Sequence, residues 1–141
     1  MRIGHGYDVH KLVSPEEYSE IYPDRAQHKF KLAGVEIEHT KVLLGHSDAD
    51  VVIHALCDAL LGAAAKRDIG FHFPDNDQSF AGIDSKELLK KVNEMIKEDN
   101  YSIGNIDITI MAQQPKLSPY INQMIKTLSS VLEINESQLN M

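Results

Sequence analysis

Apolar and polar positions change their period several times along this 141-residue chain. Residues 1–10 alternate. Ile3, His5, Tyr7 and Val9 fall on one face, and Gly4, Gly6, Asp8 and His10 on the other, the period of a β-strand. Residues 11–28 lose the alternation and carry Pro15 and Pro23, which predicts a long loop acting as a lid or poorly ordered. Phe30, Leu32, Val35 and Ile37 flank Ala33-Gly34 and predict a short hairpin. After a Gly45-His46-Ser47 loop, Ser47-Asp48-Ala49-Asp50 reads as a capping box that opens a helix running to about residue 65. That helix is apolar nearly all round (Val51, Val52, Ile53, Leu56, Leu60, Leu61), so burial is expected.

Farther on, 68–70 and 73–77 are rich in turn formers. Ser85 to about Asp99 is amphipathic, with Leu88, Leu89, Val92, Met95 and Ile96 inward. Residues 105–111 alternate as a strand. Ser118 is read as a cap and Pro119 as the opening of a last helix with Ile121, Met124, Ile125, Leu128 and Val131 inside. Leu139-Asn140-Met141 looks like the first steps of another strand. This order predicts an α+β two-layer sandwich, a mixed four-stranded sheet with helices on one face, plus the short hairpin. The other face of the sheet needs cover, and a homo-oligomer is one way to supply it.

Composition narrows the function. Apolar content of 43% and charged content of 25% describe an ordinary globular domain. The net charge of −7 argues against a nucleic-acid partner. An anionic substrate stays possible if a metal supplies local positive charge. The single cysteine, Cys57, rules out an intrachain disulfide and points to a reducing compartment. The apolar run 59–65 is far short of a membrane span, and the N-terminus reads as a strand rather than a signal peptide.

The candidate chemistry starts with Asp8 and His10. Two residues of strand rise place them about 6.6 Å apart on one face, and Gly4 and Gly6 leave that face bare for a close approach. Asp50, His54 and Asp58 step by four along the buried helix and share one side of it. Asp8, His10 and His54 thus offer three ligands for a divalent ion with one position open, as a catalytic zinc requires. A strand-end hydrogen-bond pair with an unrelated helical histidine is the plainer alternative. His54 with Cys57 is another ligand pair at helical spacing. His46 and Ser47 precede a helix N-terminus, which can cap or can receive phosphate; His46 could donate to charge developing on a phosphoryl oxygen. The loops with Asp68, Asp75 and Asp77 are either solvated turns or acceptors for polyol hydroxyls. Ala112-Gln113-Gln114-Pro115-Lys116 is either a strand-to-helix turn or a backbone clamp for a base.

In one order, the chain carries Arg2-Ile3-Gly4-His5-Gly6-Tyr7-Asp8-Val9-His10, His46-Ser47-Asp48-Ala49-Asp50, Asp58-Ala59-Leu60-Leu61-Gly62-Ala63-Ala64, Asp68-Ile69-Gly70, Phe73-Pro74-Asp75-Asn76-Asp77 and Ala112-Gln113-Gln114-Pro115-Lys116. From end to end the set resembles the 2-C-methyl-D-erythritol 2,4-cyclodiphosphate synthase family of the non-mevalonate route to isoprenoids. The resemblance implies a metal-dependent phosphorus–oxygen lyase acting on 4-diphosphocytidyl-2-C-methyl-D-erythritol 2-phosphate. The 2-phosphate attacks the β-phosphorus and CMP leaves. It implies Zn2+ or another divalent cation on Asp8, His10 and His54, and Mg2+ or Mn2+ on the substrate diphosphate. His46 then stabilises the transition state. The implied substrate-binding positions are Asp8, Val9, His10, His46, Ser47, Asp68, Ile69, Gly70, the loop Phe73, Pro74, Asp75, Asn76 and Asp77, and the stretch Ala112, Gln113, Gln114, Pro115, Lys116, Leu117 and Ser118. It also implies a homotrimer with sites between subunits, in a bacterial cytoplasm or a plastid-type organelle, without nucleic-acid or membrane partners.

The family pattern continues with a strand, a Thr-Thr-Thr-Glu segment and a Gly-Arg-rich stretch. The expectation is therefore a single domain over 1–141 without the C-terminal strand and tail, which are either truncated or disordered; if they are truly absent, the zinc site should form and catalysis should be badly impaired. The loop 11–28 receives no role. A zinc hydrolase using Asp50 or Asp58 as base, and a non-catalytic trimeric binding module, are the competing readings.

Overall fold

The computed structural model describes residues 1–26, 29–45, 48–74 and 83–141. Expected loop 11–28 instead starts with two elements. Strand β1 (Lys11–Val13) is followed by helix α1 (Pro15–Ile21). Ser14 Oγ accepts from Glu17 N–H at 3.1 Å, Pro15 opens the first turn, and Glu16 and Glu17 face its dipole, a full start signal in four residues. Tyr18 packs with Val13 and Val42 in a small separate core.

The hairpin forms as the pattern predicts, from β2 (Lys31–Leu32) and β3 (Val35–Glu36). Its turn residues Ala33 and Gly34 both have positive φ, 53° and 74°, as a tight two-residue hairpin requires. The Asp50 carboxylate holds that turn, accepting from Ala33 N–H at 2.9 Å and Gly34 N–H at 2.6 Å. It also accepts from Ile53 N–H as N-cap of α2 (Val51–Ala63). The cap is thus Asp50 rather than Ser47, which lies outside the described residues. β4 (Val42–Leu44), unforeseen from the sequence, pairs antiparallel with β1.

Helix α2 is the spine. It packs against α4 (Ser85–Glu98), which in turn meets α5 (Ile121–Leu132). Ile53, Leu61, Leu89, Met124, Leu128 and Leu132 are fully buried between them, each worth about 1.5–3 kcal/mol of apolar burial. Helix α5 begins after Tyr120, not at Pro119. The short helix α3 (Ile69–His72) follows α2. β5 (Ile106–Asp107) lies parallel to β6 (Leu139–Asn140), and Ile108 N–H extends the contact to Asn140 C=O.

The α+β class holds, but the four-stranded sheet does not appear among the described residues. Three two-stranded ladders stand in its place. Residues 1–10 are not paired as a strand; they lie against α2. A groove of about 1780 Å³ separates them from 103–114 and reaches Ala55, Ala59 and Ala63 of α2. Among the described residues, 1–10 join no ladder, and 103–114 pair only with β6.

Candidate metal centre

The N-terminal segment reaches His54 by matching its rise to that of α2. Two extended residues advance about 6.6 Å and four helical residues about 6 Å. The contacts step accordingly: Arg2 Nη1 donates to Ala63 C=O at 3.0 Å, Gly4 abuts Ala59 and Gly6 abuts Ala55. A Cβ on Gly4 or Gly6 would lie 1.8 Å from the Ala59 or Ala55 carbonyl oxygen. The bare face inferred from the glycines is therefore occupied by a helix backbone. One step farther, Asp8 meets His54.

Asp8 Oδ2 lies 3.1 Å from His10 Nε2 and 3.3 Å from His54 Nδ1, and the three donor atoms all lie within 4.8 Å of one another. Zinc bonds of about 2.0–2.1 Å in a tetrahedron give ligand–ligand edges of about 3.3 Å. Two of the three separations match that edge. Asp8 Oδ1 is taken by Val9 N–H at 2.8 Å, so Oδ2 is the oxygen offered. Asp8 Oδ2 and His10 Nδ1 are buried without an aligned hydrogen bond among the described residues. A buried, unsatisfied carboxylate oxygen between two imidazoles is costly unless a cation completes it. Burial pushes the Asp8 carboxyl up, but the adjoining His10 and His54 rings outweigh it and hold the group well below the usual carboxylate range. The residues fit a divalent metal, and His54 is 8% exposed while Asp8 and His10 line the groove, so the open side faces a reachable volume.

His10 is set by packing. Its ring lies against Gly45, where a Cβ would stand 2.6 Å from Cε1. His54 is set by hydrogen bonds: its Nε2 is 3.2 Å from Ser85 Oγ. Ser85 Oγ–H and N–H both donate to Asp48, and Lys31 Nζ stands 3.8 Å from Asp48 Oδ2. In the sequence, Asp48 and Ser85 read as helix-start residues. No spacing signal links positions 37 residues apart.

Other predicted positions are distributed as follows. Val9 is 71% exposed. Ala112, Gln113 and Gln114 line the same groove as Asp8, Val9 and His10. Pro115, Lys116, Leu117 and Ser118 form the turn leading to α5, after a cis Gln114–Pro115 bond. Asp68 caps α3 through Phe71 N–H, and Asp58 Oδ1 accepts from Ile69 N–H at 2.9 Å. That bond ties Asp68, Ile69 and Gly70 to α2 one turn beyond His54. Phe73 ends α3, with Pro74 next. His46, Ser47, Asp75, Asn76 and Asp77 lie outside the described residues. Cys57 is fully buried, burial raises its thiol pKa, and it is not among the residues that converge with His54.

An extended segment presenting Asp-x-His beside a helical histidine, open to a groove, is the centre of a metal-dependent enzyme. The YgbB family model matches residues 1–141, and the chain belongs to that family. It is 51% identical over 140 residues to the 2-C-methyl-D-erythritol 2,4-cyclodiphosphate synthase of Porphyromonas gingivalis, covering 99% of this chain and 79% of that one. Among solved structures it resembles the bifunctional IspDF of Campylobacter jejuni, with a TM-score of 0.86 and 37% identity, covering 99% of this chain but 34% of that longer one. It also resembles the CDP complex of Plasmodium falciparum IspF, with a TM-score of 0.77 and 38% identity, covering 99% and 78%.

Proposed function

We propose that the Asp8–His10–His54 centre serves cyclodiphosphate formation. The relatives are named 2-C-methyl-D-erythritol 2,4-cyclodiphosphate synthases; the reaction read for this chain turns 4-diphosphocytidyl-2-C-methyl-D-erythritol 2-phosphate into 2-C-methyl-D-erythritol 2,4-cyclodiphosphate and CMP. An oxygen of the 2-phosphate forms a bond to the β-phosphorus, the bond from that phosphorus to the CMP oxygen breaks, and CMP leaves with the electron pair. No protein nucleophile is needed, because the attacking group is part of the substrate. Catalysis is then alignment and neutralisation of charge. Asp8, His10 and His54 would hold a divalent ion, which would supply a Lewis acid for a phosphoryl oxygen, and a second divalent ion is expected with the substrate diphosphate.

The single observation that carries this reading is the buried, unsatisfied Asp8 Oδ2 between two imidazole nitrogens at zinc-ligand spacing. The groove running from that centre to Ala112–Gln114 supports placing the cytidine end along those residues; the CDP complex of a relative supports a nucleotide ligand. His46 and Ser47 would meet the phosphates, and Asp68–Gly70 with 73–77 the erythritol. The hydrolase reading is weaker, since both of its candidate bases already accept backbone N–H bonds: Asp50 from Ala33, Gly34 and Ile53, and Asp58 from Ile69.

A homotrimer with sites between subunits fits the exposed apolar side chains of Ile3, Tyr7, Val9 and Met111, which a neighbour would cover. Native mass spectrometry should then give three times the 15.8 kDa chain mass. No helix among the described residues is long and apolar enough to cross a membrane; the bacterial relatives support a bacterial cytoplasmic setting. Phosphorus-31 NMR with CMP chromatography tests the reaction. The cyclic product should appear with CMP, stop on chelation and be absent in His54→Ala. A linear phosphate product would establish hydrolysis instead.

A further inference from the structure

We infer that Ser85 and Asp48 are positioning residues that fix which nitrogen of His54 carries the proton, and so keep Nδ1 free to bind metal. This inference rests on the reading of Asp8, His10 and His54 as the metal site.

The argument follows donor direction. The Asp48 carboxylate can only accept. Its Oδ1 receives Ser85 Oγ–H and Asp50 N–H, the latter at 3.3 Å; its Oδ2 receives Ser85 N–H at 3.3 Å and faces Lys31 Nζ at 3.8 Å. Each of these four groups is a donor. Ser85 Oγ spends its one proton on Asp48, so toward His54 it presents a lone pair. His54 Nε2, 3.2 Å away, must then be the protonated nitrogen. The neutral imidazole has one proton, which leaves the lone pair on Nδ1, the nitrogen 3.3 Å from Asp8 Oδ2. Asp48 is 7% exposed and Ser85 fully buried, so water does not compete readily for these bonds. The arrangement couples β2 through Lys31, the α2 approach through Asp48 and the first residue of α4 through Ser85 to one ring. Such outer partners orient a ligating histidine and raise its basicity.

Asp48→Asn tests the direction, because it keeps the shape and changes the donors. With its NH2 at the Oδ2 position, asparagine would face Ser85 N–H and the Lys31 ammonium. With NH2 at the Oδ1 position it gives up the long 3.3 Å bond from Asp50 N–H and faces the Ser85 hydroxyl, which can turn and donate to His54 Nε2 instead. That forces the proton onto Nδ1, where it blocks the metal.

The experiment uses the full chain. Long-range nitrogen-15 to proton correlation of the metal-free protein reports the His54 tautomer, assigned by its loss in His54→Ala, and zinc titration against a chromogenic chelator reports affinity. Wild type should show the Nε2–H form. Asp48→Asn should shift it toward Nδ1–H and weaken zinc by about 10–100-fold with an unchanged circular dichroism spectrum. Ser85→Ala, which deletes the acceptor for Nε2–H, should give a mixed tautomer and a loss of about tenfold. An Nδ1–H form in the wild type overturns the inference without any variant. Wild-type zinc affinity (within threefold) in both Asp48→Asn and Ser85→Ala, with His54→Ala still weakened, overturns it while leaving the metal site intact. Zinc binding that is equally weak in wild type and His54→Ala overturns the metal site itself, and this inference with it.

Discussion

Gly6→Ala is expected to abolish tight zinc binding although residue 6 is not a ligand. The added methyl would sit 1.8 Å from the Ala55 carbonyl oxygen, 2.8 Å from its carbon and 2.9 Å from Ala59 N. All three are helix backbone in the middle of α2, and none can swing aside as a side chain could. Moving from 1.8 Å to the 3.4 Å of ordinary contact requires a shift of about 1.6 Å, and the N-terminal segment is the freer partner because it has no ladder. Asp8 is two residues on and travels with it. Its Oδ2 now stands 3.3 Å from His54 Nδ1, while metal bonds tolerate errors of only about 0.2 Å. A displacement several times that tolerance removes Asp8 from the set and should weaken zinc by more than the roughly 100-fold that outer partners cost. Chelator-competition titration measures this, alongside circular dichroism. Gly62→Ala is the control: a Cβ there meets nothing within 4 Å, so the variant should bind zinc normally and gain up to about 1 kcal/mol of helix stability. If folded Gly6→Ala binds zinc within tenfold of the wild type, the close approach does not hold Asp8 in place.

Two further outcomes follow from buried groups. Cys57, sealed inside α2 with its thiol pKa raised by burial, should resist iodoacetamide in the native protein and react fully in urea; rapid native labelling would contradict the packing. Asp50→Ala strands the amides of Ala33, Gly34 and Ile53, and should cost roughly 3 kcal/mol in urea unfolding, from a lost cap and orphaned buried donors. In the wild type, burial raises the Asp50 carboxyl despite those three donors. The folded chain therefore holds this proton more tightly than the unfolded one, and its share of stability is lost as pH rises from the ordinary carboxylate range. Urea midpoints between pH 4 and 8 should show that slope in wild type and not in Asp50→Ala.

The parts of the molecule legible in the sequence were those fixed by local rules. The Ala33-Gly34 turn, the periodic helices α2, α4 and α5, and the Asp8-x-His10 pair all announce themselves within a few residues. Helix α1 was legible too, in Ser14-Pro15-Glu16-Glu17, but two prolines and dense charge obscured it. What sequence could not carry was register between distant segments. Nothing near Ser85 says that it will meet Asp48, and the alternation in residues 1–10 cannot reveal that one face packs on a helix instead of joining a sheet. The glycines at 4 and 6 marked a close approach; the identity of the approaching group came only from the fold.

The way residues 1–10 are fastened has a thermodynamic consequence. Lacking ladder hydrogen bonds, this arm is tied down by Arg2 at one end and would be tied by a cation shared between Asp8, His10 and His54 at the other. An ion that joins position 8 to position 54 binds the closed arm and not the open one, so its occupancy should raise the melting temperature by linkage. Stripping it should let the first ten amides exchange with deuterated solvent long before those of α2. In this protein the catalytic ion would double as the latch of its own N-terminus.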